Sequence, residues 1–88
     1  MSFIHMREFM GGGDVAIVDC ARECRIMLMN DANFSCYRRG KKFFCRGDTR
    51  YPLPASLMAP ATGFWNIVLE FAADAPEPRH SVQIVRNA

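Results

Sequence analysis

The sequence has little of what a catalytic domain needs. It carries two histidines, one tryptophan and a net charge of only +2. No G-x-S-x-G elbow is present, and Ser81 follows His80 without a defined acid partner, so the pair is not a hydrolase signature. Internal repeats and low-complexity tracts are absent. At 88 residues the chain fits a single domain spanning 1–88. That length leaves no room for a multidomain enzyme or a doubly wound nucleotide-binding fold, and no membrane span is expected. Residues 1–10, MSFIHMREFM, lack the basic start and apolar stretch of a secretion signal. The expectation is a cytoplasmic protein.

What is present is apolar and aromatic. Half the residues are hydrophobic and 23% are charged, a globular composition. A chain this short buries only about 60–65% of its unfolded surface. Its seven Phe and six Met are therefore needed first for the core. Four cysteines occur, Cys20, Cys24, Cys36 and Cys45. In a reducing cytosol such residues are free thiols packed as small hydrophobes. A zinc site is the alternative, but only Cys20 and Cys24 have knuckle-like spacing. A Cys–His nucleophile needs an imidazole beside a thiol, and nothing in the sequence places His5 or His80 near a cysteine. No cofactor is expected.

Turn residues divide the chain into short apolar segments. Residues 3–10 alternate, with Ile4, Met6 and Met10 on one face and His5 and Arg7 on the other. Gly11–Gly13 is a turn. DVAIVD (14–19) and RIMLMN (25–30) are uninterrupted runs, which suit strands buried on both faces, and Cys20–Cys24 between them has hairpin length. Asp31–Gly40 begins on a capping-type residue and ends on Gly, which predicts a short helical turn near 32–39. Phe43 and Phe44 fit a short strand. Ala55–Ala59 reads as a strand, then Pro60–Gly63 as a turn. Trp65, Ile67, Leu69 and Phe71 share one parity against Asn66, Val68 and Glu70, a strand with one buried face. His80–Val85 alternates again, with Val82 and Ile84 inward. The pattern predicts an all-β, antiparallel sandwich or barrel of about six to eight short strands.

The small net charge conceals an asymmetry. Residues 38–50 hold Arg38, Arg39, Lys41, Lys42, Arg46 and Arg50 against Asp48, a net +5, whereas the remainder has five basic against eight acidic residues, a net −3. Phe34, Tyr37, Phe43, Phe44 and Tyr51 flank or interrupt the basic segment. Cations neutralise phosphates and rings stack on bases, so segment 33–50 suits an anionic ligand, a nucleic acid or an acidic protein surface. The plain alternative is a solvated loop whose rings point into the core. Asn33 and Tyr37 share a face if the segment is helical, as a site or as a turn residue and a half-buried ring. Trp65 is a pocket floor or a core residue. His80 is a ligand or acid–base group, or a structural strand-end residue.

Three stretches, CRIMLMNDANFSCYRRG, PATGFWNIVLE and RHSVQIV, resemble the bacterial family called domain of unknown function 1883. FIHMREF followed by Gly and DVAIVDC is also similar, so the likeness runs along nearly the whole chain. The family's motif residues here would be Asn33, Phe34, Tyr37, Arg38, Gly40, Trp65, Asn66, His80 and Ser81. The chain departs at Ala72–Pro78, where the family has glycines, and at Glu70, where Asp is usual. The resemblance implies a compact β-rich bacterial domain whose relatives occur alone or beside a Toll/interleukin-receptor type domain. That company implies a sensing or interaction module, and fold company does not fix function.

The expected function is therefore a non-enzymatic binding module for an anionic partner, with candidate residues Asn33, Tyr37, Arg38, Arg39, Lys41, Lys42, Trp65 and His80. One alternative is a small enzyme or metal site built on His80 and His5 with a cysteine or carboxylate. Another is a structural homo-oligomer joined through strand edges.

Overall fold

The computed structural model describes residues 2–47 and 53–87. Asp48, Arg50 and Tyr51 of the basic segment lie outside the described residues. The elements are β1 (Ser2–Met10), β2 (Val15–Cys20), β3 (Arg25–Asn30), α1 (Asp31–Arg38), β4 (Ala55–Met58), β5 (Gly63–Phe71) and β6 (His80–Val85). They form two three-stranded antiparallel sheets, β1-β5-β3 and β4-β2-β6. The fold is an all-β sandwich with one short helix.

The period-2 patterns explain the main core. Ile4 and Met6 of β1 lie opposite Leu69 and Ile67 of β5, which lie opposite Ile26 and Leu28 of β3. These side chains meet Ala16 and Val18 of β2, Leu57 of β4, and Val82 and Ile84 of β6 across the sandwich. Burying this apolar surface, at roughly 25 cal/mol per Å2, is what holds the two sheets face to face.

The 20–24 connection is not a hairpin. β2 and β3 belong to different sheets, so Cys20–Cys24 crosses the sandwich, as does the turn between β4 and β5. Each strand of such a pair has an inward apolar face, and facing each other across the core buries both. The two uninterrupted runs also differ. β3 is buried on both faces, with Ile26 and Leu28 toward the opposite sheet and Met27 and Met29 outward. On β2, Ala16, Val18 and Cys20 are buried and the alternate residues are not. Nor does β5 have only one buried face. Val68 and Asn66 are buried as well, because α1 lies over that side, where Phe34 closes a second cluster with Met27, Met29 and Val68.

The helix begins one residue earlier than its pattern suggests. Its N-cap is Asn30, whose Oδ1 accepts from the Asn33 backbone N–H at 2.9 Å. Asp31 is thereby freed to turn its carboxylate outward. At the other end Gly40 adopts φ 68°, its N–H reaches the Tyr37 carbonyl, and the Lys41 N–H reaches the Cys36 carbonyl at 2.9 Å. This paired closure satisfies the last helical carbonyls and needs a residue that tolerates positive φ.

Phe43 and Phe44 do not form a strand. Residues 41–47 run irregularly and join the sheet only at Arg46, which exchanges backbone hydrogen bonds of 2.7 and 2.8 Å with Leu28. Gly47 allows this approach, because a Cβ there would overlap the Ile26 carbonyl oxygen.

Candidate functional site

The outer face of the β1-β5-β3 sheet carries the polar half of β1's alternation and Asn66 of β5, whereas β3 turns Met27 and Met29 toward it. His5 and Arg7 of β1 stand opposite Val68 and Asn66 of β5, and α1 bounds this face on one side. A groove of about 520 Å3 opens there, lined by His5, Arg7, Asp31, Phe34, Arg38 and Asn66 together with Ser35 and Arg39.

Asn66 organises the groove. It is 1% exposed, so its amide must be satisfied internally. Its Nδ2 donates to the Met29 carbonyl at 3.3 Å and to Asp31 Oδ1 at 2.8 Å. Both are acceptors, which fixes Oδ1 toward the imidazole. His5 Nε2 therefore carries a proton and donates to Asn66 Oδ1 at 2.7 Å. Asp31 also takes a two-pronged contact from Arg7, Nε at 3.1 Å and Nη2 at 2.8 Å. The Arg7 guanidinium, then the Asn66 amide, hold the Asp31 carboxyl down to about 2. His5, Asn66, Asp31 and Arg7 thus form one continuous polar chain.

Aromatic contacts support it. The His5 ring stacks on Phe34 at 3.9 Å and 16°. Arg7 also lies over Phe64 at 3.8 Å, and Phe64 meets Phe9 edge-on at 5.3 Å. Phe9 is 51% and Phe64 47% exposed, so two rings stand in solvent on the same sheet face.

The residues singled out from the sequence fall into several places. Arg38 and Arg39 line the groove. Among the described residues neither has an ion-pair partner, and Arg38 lies 5.8 Å over the Phe34 ring. Lys41 and Lys42 are exposed beyond the helix, Lys42 5.7 Å over Phe44. Tyr37 turns beneath the helix, where its hydroxyl donates to Glu70 at 2.5 Å. Burial, then the Glu70 carboxylate, push the Tyr37 hydroxyl well above its ordinary value. Asn33 and Trp65 share a separate hollow of about 430 Å3 with Phe44 and Arg46. Asn33 Oδ1 accepts from the Phe44 N–H at 2.9 Å, tying the irregular segment to α1. Trp65 packs against the main core and donates from Nε1 to the Ala61 carbonyl at 2.9 Å. His80 lies in the other sheet, opposite Cys20, with Nδ1 3.1 Å from the Pro78 carbonyl.

A single cleft of Tyr37, Arg38, Trp65 and His80 is therefore not formed. His5 and His80 sit on different sheets, and among the described residues no three metal-ligating side chains cluster. No helix of the described residues is long and apolar enough to cross a membrane. The sequence by itself does not single out Arg7 and Asp31 as site residues. The polar parity of β1 marked Arg7, but its partner lies 24 residues away, on a helix whose docking no local pattern specifies.

No curated protein and no solved structure matches the chain. A family model does match, along residues 1–88, and the chain accordingly belongs to the family described as Domain of unknown function (DUF1883).

Proposed function

We propose that this chain is a non-enzymatic binding module of the bacterial cytoplasm that takes an anionic, phosphate-bearing partner in the groove beside α1. The observation that carries the reading is the pair Arg38 and Arg39, which line a groove of about 520 Å3 without an ion-pair partner among the described residues. Arg7 in the same groove is already neutralised by Asp31, so the uncompensated charge belongs to the helix end. A guanidinium offers a planar fork of donors that matches phosphate oxygens. Lys41 and Lys42 extend the charge past the helix, and the exposed Phe9 and Phe64 rings give bases a surface to stack on.

Fluorescence anisotropy with a labelled single-stranded oligonucleotide, beside a labelled acidic peptide, tests the reading. Binding is expected at 50 mM salt and should weaken steeply by 200 mM as counterions are released. The double variant R38Q/R39Q should weaken it at least tenfold and flatten the salt slope. Salt-insensitive binding, or none at 50 mM, defeats the proposal. If the peptide alone binds, the partner is an acidic protein surface.

Self-association is a second reading, favoured by one observation. Among the described residues β1 is an end strand that pairs only with β5 and leaves a nine-residue edge. Light scattering on a size-exclusion column that returns a strict monomer eliminates it.

A further inference from the structure

Cys20 is the last residue of β2 and Cys24 stands one residue before β3. The chain crosses between the sheets there, so the two thiols sit on opposite sides of the sandwich's closed end. Cys20 is 7% and Cys24 5% exposed, and their sulfurs lie 2.8 Å apart. Both are free thiols. A sulfur–sulfur bond needs about 2.05 Å, so closure asks for a small approach and the loss of two protons. The loop between them is held in place from outside. The Ala21 N–H donates to the Arg79 carbonyl at 2.8 Å, and Arg22 reaches the Pro76 carbonyl.

The pair also has access. Cys20 lines an open hollow of about 300 Å3 with Asp19, Ala21, Arg79, His80 and Ser81. Cys24 is not part of that lining. Two buried sulfurs in contact, one of them on a residue that lines a hollow, differ from isolated core cysteines, for which no neighbour could accept the bond.

We propose that Cys20 and Cys24 are a redox-active dithiol, a modification site at which a low-molecular-weight disulfide installs a reversible bridge across the sheet crossing. The Cys20 thiolate attacks one sulfur of the small disulfide, breaks its S–S bond and releases one thiolate. The Cys24 thiolate then attacks the Cys20 sulfur of the mixed disulfide and releases the second. The two cysteines lose two electrons and two protons, and one small disulfide becomes two thiols. Cys20 is assigned the first attack because, of the two cysteines, it is the one whose residue lines the hollow. Cys24 fits the resolving role, since burial, then the adjacent Cys20 sulfur, raise its thiol above the usual range. In a reducing compartment such a bridge is transient, as expected of a sensor rather than a structural staple.

The sequence supplies a direct assay. Trypsin cleaves after Arg22, between the two cysteines, and again after Arg25. The native protein is equilibrated with oxidised glutathione, alkylated and run on a non-reducing gel, and the monomer band is digested. The expected result is peptide 8–22 linked to peptide 23–25, with the monomer lighter by two hydrogens and two of its four thiols still titratable. Dithiothreitol should restore all four. The variants C36S and C45S should keep the link, and C20S should lose it. Four titratable thiols after equilibration in excess oxidised glutathione would overturn the proposal. So would a link involving Cys36 or Cys45 in the native monomer. Both results come from the unmutated chain, so misfolding of C20S cannot obscure them.

Discussion

Asn66 is the residue on which the outer face depends, because one buried amide satisfies a backbone carbonyl, a carboxylate and an imidazole together. Asn66→Ala removes all three partners and leaves the Met29 carbonyl short of a donor in a buried place. The loss should be about 1–3 kcal/mol, read as a lower urea midpoint at unchanged slope. A stability within 0.5 kcal/mol of the parent, roughly the scatter of surface substitutions, would mean water replaces the amide. Asp31 makes a prediction in pH. Its folded pKa is depressed to about 2, so its contribution is present above the ordinary carboxylate range and is lost as pH falls through that folded value. NMR titration of its carboxyl carbon should therefore show a midpoint near 2. In Arg7→Gln, which removes the largest cause, the midpoint should move up toward about 3.9, the ordinary Asp value. An unchanged midpoint would assign the shift to Asn66 alone.

At the level of elements, the seating of the 41–47 segment on α1 and β3 is the most exacting. Three contacts hold it: Asn33 Oδ1 to the Phe44 N–H, the paired bonds of Arg46 with Leu28, and the close pass of Gly47 over Ile26. Gly47 has φ 120° as well as no space for a Cβ. Gly47→Ala should lift the segment from β3 and cost more than about 1 kcal/mol, the ordinary Gly-to-Ala penalty where φ is positive. The check is faster amide exchange at Leu28 and Arg46, with β2 unaffected. Equal exchange at those amides would show that the backbone relaxes around the methyl. This segment is also where local sequence pattern ceases to specify structure. β1, β5 and β6 are legible because alternation is local, and the inward parity of Ile4, Met6, Val82 and Ile84 agrees with the packing; β2 is legible only as an apolar run, which hides its single buried face. Helix α1 was visible from its capping residues and Gly40. The fate of Phe43 and Phe44 was not, since an irregular segment is placed by a few specific bonds rather than by period. Phe44 is 71% exposed, which its sequence neighbours do not signal. The placing of β2 and β3 in different sheets is equally hidden, because a five-residue connection serves a hairpin and a crossing alike.

The molecule as a whole has three layers and two cores of unequal size, which has a consequence for how it opens. The core between the sheets gathers buried side chains from five of the six strands, along with Cys24, Ala59 and six partly buried neighbours. The core under α1 holds only Met27, Met29, Phe34 and Val68, with Tyr37, Phe43 and Cys45 at its margin. Opening free energy follows the apolar area exposed, so undocking α1 exposes less than parting the sheets. Native-state hydrogen exchange should then show α1 amides exchanging through a sub-global opening, below the protection of β2 and β5. Val68→Ala tests the layering, since its side chain faces only the smaller core. It should lower α1 protection more than β2 protection, whereas Ile67→Val, in the main core, should lower both together by about 0.5–1.5 kcal/mol. Because Arg38 and Arg39 ride on α1, the same opening would carry the groove's uncompensated charges away from His5 and Asn66. A phosphate-bearing partner seated there should therefore raise α1 protection selectively. If α1 and β5 exchange with equal protection in the free protein, the two cores open as one unit and the layered description fails.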